Sequence, residues 1–391
     1  MTSKNTTAVS TLTQLGIEKV YRHLTKDLGF TTIEQSDKAE APLALGGFTY
    51  GVTVMEMTQA YTALANEGVW SEARLYTKVL NINDEILLEK STNQKVVYSE
   101  DTAYIMGRLL KSTIHEKGGT GYAAITLKNK VPGLEICGKT GTTTSMRDYY
   151  FAGYTPDFVA CCWYGYDNNK TITIDKYNPA AMLWDYTFEK IYAYMDENDI
   201  EYALEFERPG SVLTAEYCTM SGHLVTEACK NDAMHILSGG ASCVATGYFT
   251  LDTLPSIECT THVAVNWDSE TQAVCMPGCD CDSVITLGFR HVPSRIFLRQ
   301  VTVTDAQFTY RDIPVGYEYP IDPTMPFYDN LAGTYMEYDE DLEEEIEKRY
   351  YFGTSGTDLP FNRICLEHLK FVDDDDEEPS EESEEIPWWE W

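Results

Sequence analysis

Apolar positions near the start of the chain recur at helical spacing: Ala8, Leu12 and Leu15, followed by Gly16. That spacing predicts a helix closed by Gly16, with Ser3 or Asn5 as its N-cap. A second helix is expected from Ile17 to Leu28, ended by Gly29. A third runs from Thr53 through Met57, Ala60, Tyr61, Leu64 and Ala65 to Gly68, and Thr53 and Glu56 have capping-box spacing. Ser99 to Lys111 repeats the helical pattern, with Ala103, Met106, Leu109 and Leu110 on one face. Between these helices, Ala73–Asn81 and Glu85–Glu89 read as a strand pair turned at Asn83-Asp84. Further on, a strand ending in Lys139-Thr140-Gly141-Thr142 precedes Asp148–Tyr154 and Asp157–Tyr166, joined at Thr155-Pro156. Short connections predict an antiparallel meander. A helix from Trp184 to Met195, with Leu183, Tyr186, Phe188, Ile191 and Tyr194 inward, is expected to cover it. The fold class of this half is α+β, an antiparallel sheet flanked by helices.

The texture changes after Pro209-Gly210. Residues 205–305 read as an irregular, disulfide-stapled appendage with one strand over 301–309, and residues 337–347, holding eight acids, as a solvated helix. Residues 373–391 carry 11 acids and no Lys or Arg, a disordered composition that extends to the closing Pro387-Trp388-Trp389-Glu390-Trp391. The expected domains are 1–200, a cysteine-rich linker at 201–305, a small extension at 306–371 and an acidic tail at 372–391.

Hydrophobic residues make up 43% of the 391, enough for most of the chain to fold. The net charge of −33 excludes nucleic acid as a partner and leaves no basic belt for anionic lipid. No apolar run reaches about 18 residues and no leader-type apolar segment opens the chain. Eight of the 11 cysteines fall after residue 200: Cys218, Cys229, Cys243, Cys259, Cys275, Cys279, Cys281 and Cys365. Such density favours disulfides and an extracytoplasmic setting over a metal site, since Cys275, Cys279 and Cys281 lack paired C-x2-C spacing.

The candidate chemistry lies at Gly138-Lys139-Thr140-Gly141-Thr142. A cation, hydroxyls and bare N–H groups along one strand suit a carboxylate-bearing peptide that docks as an extra strand, and an oxyanion formed in acyl transfer. Ser3-Lys4-Asn5 supplies an S-x-N sequence ahead of this K-T-G. Both are signatures of serine acyl-enzymes. No serine has a lysine three residues on. His23, His115, His223, His235, His262, His291 and His368 are scattered and none is assigned to catalysis.

The chain resembles the class A penicillin-binding proteins, Gram-positive type. Gly47-Phe48-Thr49-Tyr50-Gly51-Val52 with Glu56-Met57, Ala60-Tyr61 and Ala65-Asn66-Glu67-Gly68 is similar to one block of that family. Thr102-Ala103-Tyr104, Gly119-Thr120-Gly121, the Lys139-Thr140-Gly141-Thr142-Thr143 run, Phe151-Ala152-Gly153-Tyr154-Thr155-Pro156 and Trp163-Tyr164-Gly165-Tyr166-Asp167 are similar to others. Cys218, Ser221-Gly222, Pro255, Cys259 and His262 resemble the family's linker after the catalytic domain. The resemblance implies a penicillin-binding or serine β-lactamase-like transpeptidase fold, incomplete at its N-terminus. It implies a serine-type D,D-transpeptidase that cross-links peptidoglycan stem peptides and binds β-lactams, without metal or cofactor. The parent would join a glycosyltransferase domain and membrane anchor upstream and work at the extracytoplasmic face of the membrane. Ser3, Asn5 and Lys139 would be catalytic; Thr140, Gly141 and Thr142 would bind substrate, Thr142 also supplying an oxyanion N–H. The S-x-x-K serine is expected upstream, so the chain alone should be an inactive fragment. A β-lactamase-like hydrolase and a non-catalytic cell-surface scaffold are the alternatives.

Overall fold

α1 (Asn5–Leu15) begins after Lys4, and neither Ser3 nor Asn5 caps it. Asn5 already lies in the first turn, and a lysine at the N-cap has no acceptor to offer. Gly16 ends the helix as the spacing predicts. α2 (Ile17–Arg22) continues through a π-helical turn, His23–Asp27, to Gly29. The computed structural model describes residues 3–174, 176–271, 273–275 and 281–291, with strand segments at 309–310, 332–339 and 344–351. The chain divides into two compact units: Met1–Leu213 with Tyr248–Thr253, and Thr214–Gly247 with Leu254–Trp391.

In the first unit, α3 (Glu40–Leu45) packs beside α1, where Thr13 Oγ1 donates to Glu40 Oε1 at 3.3 Å. α4 (Val54–Ala65) carries the expected capping box: Thr53 Oγ1 accepts from Glu56 N at 3.1 Å, and Glu56 Oε2 accepts from Thr53 N at 3.0 Å. β1 (Val69–Ser71) pairs with β4 (Gln94–Val96), and β2 (Lys78–Leu80) with β3 (Ile86–Glu89) across a turn holding Asp84 at φ 62°. In α5 (Glu100–His115) the buried side is Ala103, Gly107, Leu110, Thr113 and Ile114. Met106 and Leu109, expected inward, are 41% and 60% exposed.

After α6 (Leu127–Lys130) comes the expected meander: β5 (Cys137–Thr142), β6 (Asp148–Tyr154) and β7 (Val159–Gly165), antiparallel in that order. α7 (Pro179–Glu197) supplies Trp184, Phe188, Tyr192 and Met195 to its core. Trp184 stacks on Phe188 with centroids 3.7 Å apart and meets Phe151 of β6 edge-on at 5.4 Å. Each such buried ring stabilises by roughly 1.5–3 kcal/mol. Of the predicted inward set, Phe188 is fully buried, whereas Leu183, Tyr186 and Tyr194 are 48%, 61% and 59% exposed. The i, i+4, i+8 row through 184, 188 and 192 fixes the face; the predicted set mixed residues from both sides.

The second unit is not irregular. It contains β8 (Leu213–Cys218, its first residue still in unit one), α8 (Glu227–Lys230), α9 (Ala233–Ser238), β9 (Val244–Phe249, its end again in unit one) and β10 (His262–Asp268). β11 (Ala273–Val274), β10, β12 (Val284–His291) and β13 (Thr309–Tyr310) form one sheet in that order. Ala233, Val265, Trp267, Leu287 and Phe289 make its small core. The expected disulfide staples are not seen at Cys218, Cys229, Cys243 or Cys259, which cluster as buried thiols. The solvated helix expected at 337–347 is replaced by two paired strands, β14 (Ala332–Asp339) and β15 (Glu344–Tyr351). Like charges three and four apart oppose a helix, while Thr334, Tyr335, Tyr338, Ile346 and Tyr350 favour pairing. The strand expected over 301–308, the Cys279 segment and the acidic tail lie outside the described residues.

Candidate functional site

β5 is the edge strand of the meander, paired on one side with β6. Its lead-in is anchored to α5 residue by residue. Glu135 receives Arg108 and Lys111 of α5, and Phe206 N donates to it at 3.0 Å. Burial alone would raise this carboxyl, but the hydrogen bonds from Arg108, Lys111 and Phe206 outweigh it and bring it to about 2. Ile136 N donates to His115 Nε2 at 3.2 Å, Cys137 Sγ donates to Gly107 O at 3.2 Å, and Thr113 Oγ1 donates to Gly138 O at 2.6 Å. Burial, then Lys111 and Lys128, lower His115 to about 4, which keeps Nε2 an acceptor at neutral pH. Gly138 is required where it stands: a Cβ there would come 2.6 Å from Phe151 Cζ.

These contacts deliver Lys139 to the edge. Its side chain is half-buried and Nζ donates to Thr140 O at 2.7 Å. Burial holds the ammonium below the usual lysine range. Among the described residues no carboxylate lies at ion-pair distance from it, so the cation is available to an anion. Thr140 and Gly141 are half-buried and Thr142 is exposed. Asn178 Nδ2 donates to Gly141 O and Tyr150 O, both at 3.3 Å, while its Oδ1 caps α7 through Ala180 N and Ala181 N. Beyond the strand, Asp148 N donates to Thr143 Oγ1 at 2.9 Å and Trp163 Nε1 to Asp148 Oδ1 at 3.0 Å, which closes the β5–β6 turn.

The K-T-G residues are thus held together by β5. Ser3 and Asn5 are exposed at the start of α1, and among the described residues no hydrogen bond or ion pair joins either to Lys139. Asn178, Glu135 and His115 support the site, a role the sequence pattern does not assign to them. Only Asn178 carries a local signal, an Asn-Pro pair that marks a helix start. In the second unit, Cys218, Cys229, Cys259 and His262 converge as a donor set able to hold a metal ion. No described helix is long and apolar enough to cross a membrane.

A three-stranded meander under a long helix, with K-T-G on its edge strand, fits the penicillin-binding protein transpeptidase fold. Residues 1–174 match the penicillin binding protein transpeptidase domain, and the chain belongs to the penicillin-binding proteins that carry it. It is 31% identical over 301 residues to penicillin-binding protein 1A of Clostridium botulinum, covering 77% of this chain and 33% of the relative. It is 32% identical over 262 residues to penicillin-binding protein 1A of Clostridium novyi, covering 67% of this chain and 28% of the relative. The chain thus spans about a third of the length of these relatives. Among solved structures, penicillin-binding protein 1A of Haemophilus influenzae shares the fold with a TM-score of 0.51 at 18% identity, over 66% of this chain and 40% of that one.

Proposed function

We propose that this chain supplies the substrate-binding strand of a serine D,D-transpeptidase acting on peptidoglycan stem peptides. The observation that carries the reading is Lys139: a half-buried ammonium with no acidic partner among the described residues, on an edge strand of the described sheet. A stem peptide laid along β5 would place its terminal carboxylate against Lys139 Nζ and the Thr140 and Thr142 hydroxyls. A serine would attack the penultimate carbonyl, its oxyanion would meet the Thr142 N–H, and the terminal residue would leave as an amine. The acceptor amine would then take the acyl group from the serine. Ser3 would relay a proton and Asn5 would bond the substrate amide. The acylated serine is not among these 391 residues, since none has a lysine three positions on. β-Lactams would bind the same strand through their carboxylate. The reading includes a bifunctional parent with an upstream glycosyltransferase domain, anchored at the extracytoplasmic face of the membrane.

Fluorescent penicillin tests this. The chain alone should show no covalent adduct by intact mass. Preceded by a segment that carries S-x-x-K and completes the domain, it should label. Lys139→Ala in that fusion should slow labelling at least tenfold, the effect of losing one charged hydrogen bond of roughly 1.5–3 kcal/mol. A folded fusion that takes no label would sink the reading in favour of a non-catalytic scaffold.

A further inference from the structure

The second unit gathers donor groups that acyl transfer does not use. Cys218 ends β8, Cys229 lies in α8, Cys259 follows the Leu224–Glu258 bridge, and His262 opens β10. All four are buried, at 0%, 0%, 5% and 6% exposure. We infer that they form a tetrahedral Cys3His zinc site that holds this unit together.

The geometry carries the assignment. The sulfurs of Cys218, Cys229 and Cys259 stand 3.5, 3.6 and 3.6 Å from His262 Nδ1, and the four donor atoms all lie within 4.8 Å of one another. A zinc ion with bonds of about 2.3 Å to sulfur and 2.0–2.1 Å to nitrogen has tetrahedral S···N edges of about 3.6 Å. A disulfide would instead draw two sulfurs to about 2.05 Å and leave a thiol and an imidazole facing each other in an apolar pocket lined by Val225 and Val244. Three thiolates and a neutral imidazole are a borderline-soft set that suits zinc, and four protein donors leave no open position, which marks a structural ion.

The backbone is built around these donors. Gly222 N donates to Cys218 O at 2.7 Å and Cys218 N to His223 O at 2.8 Å, a tight turn beneath the first sulfur. Thr226 O accepts from Cys229 N at 3.0 Å, and Leu224 O from Cys259 N at 2.9 Å. α8 lies directly on β12: a Cβ at Gly288 would come 1.7 Å from Ala228 O, so only glycine lets Cys229 reach the cluster. Cys243 Sγ donates to Cys229 O at 3.1 Å, so this thiol is engaged by a carbonyl outside the four-donor set. Among the described residues the core of this unit is small, and units with small cores commonly gain their stability from a metal staple.

The test is zinc content of the purified full chain by elemental mass spectrometry. We expect one zinc per chain, lost in Cys259→Ser and kept in Cys243→Ser. As a check independent of variant folding, the reduced, chelated wild-type chain reloaded with Co2+ should show intense tetrahedral bands and thiolate charge transfer. Zinc well under one equivalent in the wild type, equal zinc in Cys259→Ser, a weak octahedral cobalt spectrum, or a disulfide at Cys218, Cys229 or Cys259 in non-reduced peptide maps would each overturn the assignment.

Discussion

Glu135 shows how a single side chain sets the reactive strand. It sits four residues before Lys139, 6% exposed, and takes two cations from α5. A carboxyl lowered from 4.5 to about 2 contributes about 3 kcal/mol at neutral pH. Its folded value lies below its unfolded one, so the contribution is present above pH 4.5 and fades as pH falls towards 2. Glu135→Gln, which leaves Arg108 short of a partner, should lose about 3 kcal/mol in urea unfolding at pH 7, and the gap to wild type should close towards pH 2. A gap that stays constant with pH would refute this account. At this scale the sequence was half legible. Lys139, Thr140, Gly141 and Thr142 are read directly because a local tripeptide carries them. Their supports are not, because Arg108 and Phe206 lie 27 and 71 residues from Glu135. The same distance hid the metal-type cluster: Cys259 and His262 are close in sequence, but Cys218 and Cys229 meet them only in the fold.

Elements were legible where one local rule decides them. α4 was readable from its capping box and the meander from its strands and tight turns. The box has a consequence of its own. Glu56 Oε1 and Oε2 also receive Thr31 N and Oγ1 at 2.7 and 2.8 Å and Thr32 Oγ1 at 2.9 Å. Thr53→Ala removes one cap and should cost about 1 kcal/mol. Glu56→Ala also frees the Thr31–Thr32 segment and should cost more, and equal losses in chemical denaturation would show that segment to be unimportant. Faces were harder than elements. α5 contains the adjacent pair Leu109-Leu110, and only tertiary packing chooses Leu110. α7 has aromatics on both sides, so periodicity alone did not single out Trp184, Phe188 and Tyr192. β1 and β4 are three residues each, too short for alternation to show.

At the scale of the molecule, composition separates a cysteine-rich second half from an enzyme-like first half, but not the path between them. The chain passes from unit one to unit two at 213, returns at 248 and leaves again at 253. The returning segment brings Tyr248 edge-on to Tyr104 of α5, with centroids 5.8 Å apart. Such a pair is worth roughly 0.5–1.5 kcal/mol beyond its buried area. A chain ended at 213 should therefore melt a few degrees below the same unit in the full chain, by about 2–4 °C. Equal melting temperatures would mean the returning segment contributes nothing.

That return also governs how the two units can be inherited. A single crossover at 213 between this gene and a related one would leave the first unit with a foreign 248–253. Clean exchange of the second unit needs three junctions, at 213, 247 and 253. Substitutions in Tyr248–Thr253 should then track changes in α5, although the surrounding residues drift with the cysteine cluster.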